Sequence, residues 1–153
     1  MNVIFDESTG LIVPGEHKLT LEKFKDIFVY NEHRVRIFEG FQRLLDVLRE
    51  IACSRVYADG SFVTQKPHPS DIDVCWQMDQ NNKDEQLKAL LNICPQLLFL
   101  NEKANREFIK KQFCADVFPA NIIEGQSGLM FKDFFQKDKN TGTQKGIIII
   151  DVL

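Results

Sequence analysis

No apolar run in the chain exceeds four residues, as at 97–100 and 147–150, far short of the ~20 needed to cross a bilayer as a helix. Net charge is also scarce. At −3 over 153 residues, no global field draws the protein to nucleic acid, and any anionic substrate must be held by local groups. The four cysteines, at 53, 75, 94 and 114, include no C-x-x-C pair. This spacing points to neither a zinc knuckle nor a dense disulfide framework, so reduced thiols are expected. The N-terminus lacks a basic segment followed by an apolar stretch, and a cytoplasmic location with no membrane partner is the expectation. There is no internal repeat and no low-complexity linker. What is present is an ordinary globular balance, 44% hydrophobic and 27% charged, with thirteen phenylalanines to build an aromatic core. A chain of this length is expected to form one domain with one cleft.

Residues 1–19 mix short apolar pieces with turn formers, including Gly10 and Pro14-Gly15, and read as an N-terminal arm with little regular structure. From Thr20, a capping residue, Leu21, Phe24, Ile27 and Phe28 recur at helical spacing and predict a first helix. A longer helix follows. Its apolar stripe is Val35, Phe38, Phe41, Leu44, Leu45, Leu48 and Ile51, with Arg34, Arg36, Glu39, Arg43 and Glu50 on the wet side. Residues 55–59 alternate as a short strand ending at Gly60-Ser61, and 72–78 predict a second strand. Between them Lys66, Pro67, His68 and Pro69 form a stiff loop that cannot be helical. Helical periodicity returns over 83–94, ended by Pro95, and over 101–112. Residues 113–118 predict a third strand containing Asp116, 129–135 a short helix, 137–145 a polar turn, and 146–152 a last strand. Together these predict a mixed α/β (α+β) domain over 1–153, a small twisted sheet with helices packed on one side.

With twelve aspartates, a D-x-D pair is expected about once by chance, so Asp71-Ile72-Asp73 takes its meaning from its context. Strand residues two apart project from one face, so both carboxylates can bracket a hard cation. Mg2+ (or Mn2+) takes one or two such carboxylates together with the phosphates of a nucleotide. A third acid on a neighbouring strand would complete a two-metal site and serve the acceptor hydroxyl; Asp116, between Ala115 and Val117, is the candidate. Upstream, Gly60 lets the backbone approach a phosphate closely, and the Ser61 hydroxyl can donate to it. Nine residues separate Ser61 from Asp71, enough to turn back and lay the second strand beside the first. Thr64 and Lys66 rim the same place and join Gly60 and Ser61 as nucleotide-binding candidates, with His68 beside them. Each feature has a plain counterpart: acids that keep a strand edge soluble, an ordinary turn, a solvated rim. The coincidence of turn, gap and acid pair favours the metal site. Lys103, Arg106 and Lys110 form a short basic stripe, read as a solvated helix face, and long duplex nucleic acid is not an expected partner. Trp76 reads as core or cleft wall.

Gly60-Ser61, the nine-residue gap and Asp71-Ile72-Asp73-Val74 resemble the signature of the DNA polymerase beta-like nucleotidyltransferase superfamily, in its minimal bacterial type. The match spans residues 56–76, and Gly60-Ser61-Phe62-Val63-Thr64 followed by Lys66-Pro67 is similar to bacterial proteins of that superfamily. The resemblance implies the nucleotidyltransferase fold, with a Gly60-Ser61 turn holding nucleotide phosphates. It also implies divalent metal on Asp71 and Asp73, and Asp116 as the third acid. The implied reaction moves an NMP from an NTP, ATP being the expected one, onto an acceptor protein or small RNA end. Minimal members act in toxin–antitoxin or phage-defence pairs, some by adding AMP to a partner protein, so a partner encoded nearby is expected. The alternative is a catalytically idle module of the same fold that binds nucleotide or docks a partner. A glycosyltransferase using D-x-D for a sugar nucleotide is disfavoured by the Gly-Ser turn and the short chain.

Overall fold

Thr20 caps the first helix through its hydroxyl, which accepts the Lys23 N–H at 3.1 Å, and Asn31 caps the second through its side-chain amide oxygen, which accepts the Arg34 N–H at 2.8 Å. The computed structural model describes residues 5–153. In chain order these form β1 (Gly15–Leu19), α1 (Leu21–Phe28), α2 (Glu32–Glu50), β2 (Arg55–Asp59), β3 (Ile72–Trp76), α3 (Lys83–Ile93), α4 (Lys103–Phe113), β4 (Ala115–Pro119), α5 (Phe131–Phe134) and β5 (Gly146–Asp151). The strands make one mixed sheet in the order β1-β5-β2-β3-β4. In it, β2 is antiparallel to both of its neighbours, β1 is parallel to β5, and β4 is parallel to β3.

Strand alternation sorts the side chains. Val56, Ala58, Ile72, Val74, Trp76, Ala115, Val117, Ile148 and Ile150 point to one face and merge with Phe24, Phe41, Leu44, Leu48, Leu90 and Ile109 of α1–α4. Phe24 is an aromatic hub, its ring within 4.9–6.3 Å of those of Phe28, Phe38, Phe41 and Phe62. The opposite face carries Tyr57, Cys75, Ile147 and Ile149, covered by Phe118, Phe131 and Phe135. The expectation of helices on one side therefore holds for α1–α4, while the short α5 lies on the other. All four thiols are free, and among the described residues no helix is long and apolar enough to cross a membrane.

Two expectations are corrected. The arm is more regular than its composition implies: Phe5 bridges Ile12 around a tight turn, and residues 15–19 form β1, the edge strand on β5. Residues 1–4 of that arm lie outside the described residues. An edge strand with only Leu19 buried shows no apolar alternation, because one face and one edge remain in water. In α2, Arg34 is fully buried and Val35 exposed, the reverse of the expectation. Stepping back by helical turns from Phe41 and Phe38 puts position 34 on the stripe. The guanidinium can stay there because it makes five hydrogen bonds to the carbonyls of Phe28, Phe62, Thr64 and Lys66. Arg34→Met should thus cost about 3 kcal/mol or more, since the Phe28, Phe62 and Thr64 carbonyls lose this donor, while that of Lys66 keeps the Tyr30 hydroxyl. Urea unfolding measures this, and a loss under about 1 kcal/mol would mean that water replaces the guanidinium.

Candidate functional site

Because β2 runs against both neighbours, its C-terminal end lies beside the N-terminal ends of β3 and β5, with the start of β4 next in line. Asp59 is paired with Asp73, and Asp73 with Asp116, so three aspartates from distant parts of the chain form one rung across the sheet. All three share strand parity with the residues facing away from α1–α4. Asp71, two positions before Asp73, falls on the same side. Carboxylate oxygens of Asp71, Asp73 and Asp116 all lie within 4.8 Å of one another, and each side chain is half-buried. Gly60 packs against this group: its φ is +84°, and a methyl there would stand 2.6 Å from Asp73 Oδ2. Only glycine satisfies both the left-handed backbone and the close approach.

Crowding and burial set the protonation of the acids. Burial, reinforced by Asp71, Asp59 and Asp116, pushes Asp73 up to about 7. Asp71 is raised by burial and by Asp116, against the pull of Lys110 and Lys139. Asp59 is raised by burial, against Lys145 and the Gly60 N–H. The Lys110 ammonium spans two acids, 3.7 Å from Asp71 Oδ2 and 3.4 Å from Asp116 Oδ2. Lys145 stands 3.2 Å from Asp59 Oδ1 and supplies the counter-charge for this buried carboxylate. The all-oxygen donor set of Asp71, Asp73 and Asp116 fits a hard divalent cation such as Mg2+ or Mn2+.

A pH dependence follows for the metal-free protein. Unfolded aspartates titrate near ~4, so between about pH 4 and 7 the folded state holds protons that the unfolded chain has released. The stability contributed by these raised groups is present below that window and is lost as pH rises through 7. Carboxylates held low by hydrogen bonds, such as Asp138 and Asp151, act in the opposite sense only below about pH 4. In chelator, Tm at pH 5.5 should exceed Tm at pH 7.5 by several degrees, and Mg2+ should narrow the gap. A flat profile in thermal scans would show that the acids do not repel one another as their spacing implies.

The acids form the floor of a cleft of about 1230 Å³. Gly60, Ser61, Thr64 and Lys66 line one part of it, and Leu129, Phe134, Phe135, residues 137–140 and Lys145 another. The Thr64 hydroxyl donates to the Ser61 carbonyl at 2.6 Å and accepts the Lys66 N–H at 3.1 Å, so it shapes the first part from within. The Lys66 carbonyl is held by Arg34, leaving the ammonium on the rim. His68 turns away to meet the His33 ring edge-on, and Trp76 is core. The basic stripe separates: Lys103 pairs with Glu107, Arg106 donates to the Leu100 carbonyl, and Lys110 turns to the acids.

Three charged residues of this floor escape sequence reasoning: Asp59 as an acid, Lys110 as its neighbours' counter-ion, and Lys145. Asp59 shares strand parity with Tyr57, a usable signal once β2 and β3 are paired. Lys145 has none, because it reaches the floor only through the position of β5. No curated protein and no solved structure matches the chain. One family model does, over residues 3–151. The chain belongs to that family, the family of unknown function DUF6932.

Proposed function

We propose that the chain is a metal-dependent nucleotidyltransferase of the DNA polymerase beta-like fold, moving an NMP from an NTP, ATP foremost, onto an acceptor. The observation that carries this reading is the convergence of Asp71, Asp73 and Asp116 within 4.8 Å, directly beside the Gly60-Ser61 turn. Asp71 and Asp73 would hold Mg2+ or Mn2+, with Asp116 reaching the same point from the next strand. Bound there, the metal supplies charge neutralisation on the transferring phosphate. The Gly60-Ser61 turn, with Lys66 on its rim, orients the phosphates. In the reaction the acceptor oxygen bonds to the α-phosphorus, the bond from that phosphorus to the bridging oxygen breaks, pyrophosphate leaves, and Asp116 accepts the hydroxyl proton. The acceptor is a partner protein or an RNA end, in a toxin–antitoxin or phage-defence setting. Dispersal of the Lys103, Arg106 and Lys110 stripe argues against long duplex nucleic acid.

One observation favours a second reading, a catalytically idle nucleotide-binding module: the Lys110 ammonium already stands between Asp71 and Asp116, where a metal ion would bring its charge. Incubating the purified protein, alone and with cell lysate, with each α-labelled NTP in Mg2+ or Mn2+ separates the two. Label on protein or RNA supports the transferase. Nucleotide bound but never transferred supports the idle module.

A further inference from the structure

One wall of the cleft is a hairpin built by residues 136–145. Lys137 bridges Gln144, the Asp138 N–H donates to the Thr143 carbonyl at 2.8 Å, and the Lys145 N–H donates to the Gln136 carbonyl at 2.8 Å. Its only acid, Asp138, is engaged inside the turn, accepting from the Thr141 N–H at 3.1 Å and hydroxyl at 2.8 Å. Two exposed lysines, Lys137 and Lys139, line the cleft and make no ion pair among the described residues, although the acids lie on its floor. Lys145 is different: mostly buried, it anchors the base of the hairpin to Asp59.

We propose that this hairpin is a cationic arm that grips the polyphosphate tail of a nucleoside triphosphate, with Lys137 and Lys139 as phosphate ligands and Lys145 as the anchor. The proposal rests on the reading that the cleft takes an NTP, and it adds which wall holds the tail and why a triphosphate is preferred. Lys110 and Lys145 are matched to acids, so Lys66, Lys137 and Lys139 are the unpaired cations of this cleft among the described residues. All three line it, Lys66 from the loop between β2 and β3 and the other two from the hairpin. A single phosphate can satisfy few of these ammonium groups; a chain of phosphates offers more oxygens and carries the charge to match all three.

The test is calorimetric titration of ATP, AMP and inorganic tripolyphosphate, all in Mg2+, into the wild type and the Lys137→Met, Lys139→Met double variant. A Lys23→Met, Lys25→Met variant on the exposed side of α1 controls for total charge. Both hairpin lysines are exposed, so the variant should keep the wild-type Tm, and Lys139→Gln alone should give a partial loss. ATP and tripolyphosphate should bind the double variant about tenfold more weakly or worse, while AMP stays within about twofold. ATP affinity within about twofold of wild type, an equal loss for AMP, or no ATP binding by the wild type overturns the proposal. Binding, not transfer, is read, so the outcomes separate. ATP gripped by these lysines but never transferred leaves the arm standing and removes the transferase. Transfer that persists in the double variant with unchanged ATP affinity does the reverse.

Discussion

Asp71→Ala combined with Asp73→Ala should abolish metal-dependent nucleotide transfer, a loss on the order of 10³-fold or more, because it removes the paired oxygen ligands in one step. Nucleotide binding in Mg2+ should disappear with it. The fold should survive and grow more stable at pH 7.5: Asp73 is pushed up to about 7 by burial and by the acids around it, so the native state carries a repulsion that the substitutions relieve. The rise in Tm between pH 7.5 and 5.5 should flatten in the variant. Thermal scans with and without Mg2+, beside the transfer assay, read both effects. Transfer at the wild-type rate would remove Asp71 and Asp73 from the metal site. A large drop in Tm would mean that Lys110 and its acids are a structural ion cluster instead.

Asp116→Asn should separate chemistry from binding. The amide cannot accept the acceptor's proton, so transfer should fall about 10²–10⁴-fold, while Asp71 and Asp73 still hold the metal that accompanies the triphosphate. ATP affinity should change little. Lys110 would keep Asp71, 3.7 Å away, as its remaining partner. Single-turnover rates beside calorimetry make the comparison, and ATP affinity lost as completely as in the double alanine variant would move Asp116 from the proton-accepting role to metal binding.

Much of the architecture is written locally. The Thr20 cap and the periodic Phe24 and Phe28 define α1, and the alternation over residues 55–59 bounds β2 as the structure has it. The strand predicted over 113–118 starts later, at Ala115, because α4 continues through Phe113 and Cys114 takes a left-handed conformation, φ +53°, to close it. Strand parity put Asp71 and Asp73 on one face, and that local fact survives in the fold. Arg34 and β1 were illegible for a common reason. The burial of an arginine and the pairing of a polar edge strand depend on carbonyls and strand edges supplied by segments dozens to over a hundred residues away.

The sequence alone thus determined most of the helices and the inner strands, where the Gly60-Ser61 turn falls, and that two carboxylates project together. These depend on neighbours within a few residues, whose spacing the chain states directly. The turn back from β2 to β3 was expected, but only the tertiary structure decided that β5 takes the other side of β2 and that β4 joins β3 in parallel. Those choices bring Asp59, Asp73 and Asp116 into one rung, set Lys145 beside Asp59, and turn Lys110 from a helix stripe to the acids. Strand order is set by burial summed over both faces of the sheet, and no local pattern encodes that sum.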